Sequence, residues 1–208
     1  TGFDYIGEPD PWRGTSRSSY FGIFDLCGFP KSRYWLYKSQ WRPEEPLVHI
    51  VPHWNWKSGD AVPVHVFTSG DEVELFLNGR SLGVRRKRPG EYRLVWESVA
   101  WERGTLKAVA KKGGRAWAED VRVTAGAFVK FVFADKVYGD YVFRTATAVD
   151  AAGNPVPDAA EEVPYVLPSG ATLVGTCNGD PADLNSLASP KVTSFNGLAL
   201  IVFRNGDN

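Results

Sequence analysis

The stretch TGFDYIGEPDPW, residues 1–12, crowds acids, aromatic rings and glycines together before any helix or core pattern has begun. Asp4, Tyr5 and Glu8 are its candidate site residues, and paired carboxyl groups cleave glycosidic bonds by general acid and nucleophilic chemistry. Spacing excludes that role for this pair on an extended strand. Asp4 and Glu8 would share a face but stand about 13 Å apart at ~3.3 Å per residue. Glycosidase carboxyls lie about 5–5.5 Å apart for retention and about 6.5–9.5 Å for inversion. Only a reversal at Gly7 would join them, and a carboxylate at a strand end also serves as a turn former or helix cap.

Other groups carry less. His49 and His53 have the spacing of a helical zinc pair, but Pro52 and β-like surroundings argue against a helix, and no acidic or cysteine cluster completes four ligands. No metal or cofactor is expected, and the histidines read as core or interface residues. Trp54, Trp56 and the aromatics of Tyr34 to Trp41 could stack on sugars, but a junction between domains needs the same large apolar groups. Arg85-Arg86-Lys87-Arg88 reads as a solvated hairpin tip, and Asn178-Gly179-Asp180-Pro181 as a loop turn rather than a calcium site. Cys27 and Cys177, 150 positions apart in different segments, read as two separate core thiols.

The elements that must position these groups fall into three zones. Residues 1–41 end in a helix-compatible run, with Pro30 suited to a first turn and Tyr34, Tyr37, Lys38 and Trp41 forming an aromatic face. A single helix cannot make a core, so this zone is expected to lean on something absent from the chain or on the domain that follows. Residues 42–126 alternate with period two at Val62, Val64 and Val66 and at Val73, Leu75 and Leu77. Asn78-Gly79 is a strong hairpin signal. Further strands are predicted over 81–84, 92–96, 105–110 and 116–123, which makes a β-sandwich. Residues 127–208 predict strands over 128–133, 141–149, 163–167, 172–176 and 198–203, with a turn at Asp150 to Pro157, and read as a second, possibly truncated, immunoglobulin-like sandwich.

Twenty-four basic residues balance 24 acidic ones, so no net field draws the chain to nucleic acid, and no apolar run is long enough to span a membrane. The start at Thr1 and the lack of Met are expected of a piece of a longer protein.

TGFDYIGEPDPW, SSYFGIFDLCGFPKSRYWLYKSQW, VHIVPHWNW, VELFLNGRSLG, DAAGNPVPDA, LVGTCNGDP and FNGLALIVF, in that order along the chain, resemble the C-terminal third of a family 2 glycoside hydrolase of the β-galactosidase type. The resemblance implies an all-β region of two immunoglobulin-like sandwiches, preceded by the last strand and helix of a (β/α)8 barrel. It puts Thr1 to Tyr5 on the eighth barrel strand, with a substrate-contacting Trp one position before Thr1, and Lys31 to Trp41 on the last barrel helix. Asp4, Tyr5 and Glu8 would then lie at the pocket rim as substrate-binding residues. The family's two catalytic glutamates sit on the fourth and seventh barrel strands, outside this sequence, so no catalytic residue is assigned and the chain alone is expected to be inactive. The implied partners are the barrel domain and, through it, oligo- or polysaccharide. The implied compartment is periplasmic or extracellular, and the implied parent is a retaining hydrolase of carbohydrate metabolism. The alternative is a free-standing carbohydrate-binding or structural immunoglobulin-like module.

Overall fold

The structure, a computed structural model, describes residues 2–6 and 16–206. These carry one helix and eleven strands. They divide into two compact units, one of Ser32–Ala125 and one of Thr1–Lys31 with Gly126–Asn208. The first sequence zone, 1–41, is thus split after Lys31.

In the Ser32–Ala125 unit, α1 (Ser32–Trp41) precedes β1 (Val48–Val51), β2 (Ala61–Thr68), β3 (Glu72–Leu77), β4 (Arg80–Arg86), β5 (Leu94–Ala100), β6 (Thr105–Lys112) and β7 (Arg115–Val123). A three-stranded sheet β1-β2-β5 and a four-stranded sheet β4-β3-β6-β7, all antiparallel, form an immunoglobulin-like sandwich. The period-two pattern explains the layering. Val62, Val64 and Val66 of β2, Val73, Leu75 and Leu77 of β3, and Leu106, Ala108 and Ala110 of β6 all point into one buried cluster with Trp54 and Trp96. Each fully buried Val or Leu contributes about 1.5–3 kcal/mol, so these three strands dominate the unit's stability. Pro63, which has no N–H to give a ladder, sits where the β2–β5 register shifts between Val62 and Val64. Asn78 and Gly79 both have positive φ, 51° and 80°, as a two-residue turn between right-twisted strands requires.

The expected aromatic face of α1 does not turn inward. Ser39 is the buried residue of the helix, its hydroxyl donating to the Leu36 carbonyl, while Tyr37 and Trp41 are exposed and stacked, with centroids 5.0 Å apart.

The other unit is built on a four-stranded antiparallel sheet of order β10-β11-β9-β8, with β8 (Lys130–Tyr138), β9 (Tyr141–Val149), β10 (Thr172–Cys177) and β11 (Leu198–Arg204). Ala146, Ala148, Ala199, Ile201 and Phe203 bury one face, together with Val156, Val163 and Val192 from the connecting segments. Those segments are irregular. The strand expected over 163–167 is reduced to a short run in which Glu162 bridges Thr193 and the Val163 N–H donates to Val192. Pro164 and Pro168 supply no N–H to continue it.

Residues 2–6 join this unit through Phe3, paired in parallel with Phe24, and Ile6, paired with Ser18. The predicted turn after β9 is organised by Asp150. Its Oδ1 accepts from the Ala152 and Asn154 N–H groups, and its Oδ2 from the Gly126 N–H at 2.7 Å and the Asn154 amide at 3.1 Å.

Candidate functional site

Asp4 lies in a backbone clasp. Its own N–H donates to the Phe24 carbonyl, and the N–H groups of Ile23 and Phe24 donate to the Gly2 carbonyl. Its side chain is almost wholly buried, with Oδ1 accepting from the Gly22 N–H at 2.8 Å and Oδ2 paired with the Lys31 ammonium. Lys31 also donates to the Tyr20 carbonyl. Both carboxylate oxygens are therefore engaged inside the chain, and a buried charge needs this pairing. The approach is tight enough to require glycine at position 22, where a Cβ would stand 2.3 Å from the Asp4 nitrogen.

Tyr5 is held through its backbone, its N–H donating to the Ser19 hydroxyl and its carbonyl accepting from the Ser19 N–H, while the side chain is 44% exposed. Glu8 lies outside the described residues. Gly22 and Lys31 were missed as partners of Asp4 in the sequence, because pairs 18 and 27 positions apart leave no periodic signal.

The histidines are spread through the sandwich in separate settings. His49 stacks on Trp35 at 4.7 Å, and its Nδ1 accepts from the Arg122 guanidinium, which can only donate. Burial, followed by the Arg122 charge, lowers its pKa to about 3, so the ring is neutral. His53 accepts from the Asn55 N–H and stacks on Trp56, and burial likewise lowers the pKa of His65. Among the described residues, no three His, Cys, Asp or Glu side chains group as metal ligands.

Trp54 is a core residue, its indole donating to the Glu102 carbonyl. The basic run lines one side of a cleft of about 560 Å³ with Glu91 and Glu97. Arg86 is paired with Glu72, and Lys87 donates to the Thr68 carbonyl. The Asn178 side chain is used internally, accepting from the Asp180 N–H and donating to Asp183 and the Thr193 carbonyl.

The segments that carry the two cysteines meet: Leu26 lines the same crevice as Cys177, and Asp25 lies against Gly179, while both cysteines are half-buried.

The described residues make an almost all-β region of antiparallel sheets. The sequence matches the family description "Glycoside hydrolase family 2 C-terminal domain 5" over residues 134–208, and "Domain of unknown function (DUF4982)" over residues 59–118. The chain resembles the C-terminal part of family 2 glycoside hydrolases, and its relatives there include both β-galactosidases and β-glucuronidases.

A β-galactosidase of Bacteroides ovatus, BoGH2A, is 39% identical over 99% of this chain, which covers 25% of that relative. A putative β-glucuronidase of Formosa agariphila is 35% identical over 89% of the chain, covering 19% of that relative. The crystal structure of a β-glycosidase from Bacteroides vulgatus superposes with a TM-score of 0.92 at 31% identity, over all of this chain and 27% of that one. The chain thus spans about a quarter or less of the length of the curated relatives just described.

Proposed function

We propose that the chain is the non-catalytic C-terminal region of a β-galactosidase-like hydrolase that removes terminal β-linked sugars with retention, in the periplasm or outside the cell. Residues 1–41 form the end of its barrel, and the barrel domain and an oligo- or polysaccharide are its partners. The observation that carries this reading is the engagement of Asp4. With both oxygens committed to Gly22 and Lys31, the carboxyl is neither a free nucleophile nor a proton donor. Its role is to position the rim strand that presents Tyr5, and Tyr5 and Glu8 are the rim's substrate contacts. The chain alone, incubated with a nitrophenyl β-galactoside, should release no more chromophore than buffer does. Turnover well above buffer would overturn the proposal.

A second reading, a carbohydrate-binding module, is favoured by one feature. Tyr37 and Trp41 are exposed rings stacked on one another with their planes 5° apart, and a sugar face could stack on an outer face of the pair. Calorimetry with soluble plant polysaccharides separates the two readings. Saturable binding would support the module, whereas no heat of binding leaves these rings as a surface for the barrel.

A further inference from the structure

We propose that Cys27 and Cys177 form an intrachain disulfide, made by exchange with a low-molecular-weight disulfide such as oxidised glutathione, which ties the segment after the rim strand to the end of β10.

Four contacts bring the two segments together independently of the sulfurs. The Arg17 N–H donates to the Pro181 carbonyl at 2.7 Å, and the Arg17 guanidinium donates to the Asn185 carbonyl. Asp25 presses so closely on Gly179 that a Cβ there would stand 2.2 Å from its Oδ2. Leu26 lines the same crevice as Thr176 and Cys177. Cys27 and Cys177 lie among these contacts, close enough for each to perturb the other's thiol.

Both backbones are already fixed. Asp25 Oδ1 accepts from the N–H groups of Cys27 and Phe29, each at 2.9 Å, which locks the turn that presents Cys27. Cys177 is paired with Leu200 in the sheet, and the next residue, Asn178, is tied to Asp183 and Thr193. Both cysteines are only partly buried.

The two thiols shift each other's proton affinity in opposite directions, Cys177 being held at about 7 and Cys27 pushed up. Whichever is the thiolate attacks first, bonds to one glutathione sulfur and expels the other as a thiolate. The second cysteine then gives up its proton to solvent, attacks the sulfur of the first and expels the second glutathione thiolate. Two protein thiols are oxidised by two electrons, and one glutathione disulfide is reduced to two thiols.

The test uses the whole chain, equilibrated with oxidised glutathione and quenched with acid. Intact mass should fall by two hydrogens, thiol titration in denaturant should fall from two groups to none, and a digest should yield one peptide pair joined through Cys27 and Cys177. The thermal transition of the oxidised chain should rise by about 5 °C or more and return on reduction, since the bond closes a very long loop. Retention of both free thiols, stable glutathione adducts on each cysteine, or disulfide-linked dimers would each overturn the proposal. These readouts need no variant. Cys177→Ala should in addition leave a single thiol and no joined peptide, and a joined peptide in that variant would also overturn it.

Discussion

Asp4 and Asp150 show two ways in which the oxygens of a buried carboxyl group are satisfied. Asp4 relies on one cation and one N–H, its side chain 1% exposed and that of Lys31 30% exposed. Asp4→Asn keeps an acceptor for Gly22 but removes the charge facing Lys31. Because Lys31 remains partly in water, the expected loss is about 2 kcal/mol, less than for a fully buried pair, read from the urea midpoint. Asp150 relies on backbone and amide donors alone, the Gly126 N–H first and the Asn154 amide next, and these lower its pKa to about 2. The unfolded chain binds this proton near the ordinary 3.8, so the carboxylate's contribution is complete above that value and lost as pH falls through about 2. Asp150→Asn should lower the unfolding temperature at pH 6, and the gap from the unmodified chain should narrow steadily between pH 4 and pH 2. A gap that did not change with pH would exclude the charge as the cause.

At the level of elements, β2, β3 and β6 were legible because each has one dry face, so that burial and sequence alternate together. The Asn78-Gly79 turn was legible because few dipeptides tolerate two successive positive φ angles. β1 was not recognised, since four residues ending before Pro52 carry too short a pattern. The helix was found but its orientation was not, because an aromatic stripe looks the same whether it faces a core or stays exposed. Least legible of all were the clasp around Asp4 and the meeting of Cys27 with Cys177, which depend on pairings between distant segments. The clasp itself makes a prediction. In Gly22→Ala, the new methyl would meet the Asp4 nitrogen and the Phe24 carbonyl oxygen, at 2.3 and 2.5 Å, and the segment 2–6 must detach or shift. A loss of about 1–3 kcal/mol is expected. Hydrogen exchange at the Asp4 and Phe24 amides should speed up well before that of β11.

For the whole molecule, membership of the family 2 glycoside hydrolases was legible from motifs spread along nearly the full chain, and the matched domain over residues 134–208 agrees with them. One feature of the architecture bears on how the protein is made. The Ser32–Ala125 sandwich is uninterrupted in sequence, whereas the other unit needs both the segment before it and the segment after it. During synthesis the central sandwich can therefore close as soon as it clears the ribosome. The amino-terminal segment, already made, must wait for residues 179–185 to emerge before its Arg17 and Asp25 contacts can form. Nascent chains arrested after residue 160 should accordingly protect the central sandwich from protease and leave residues 16–31 open to cleavage, and only release of the finished chain should shield both.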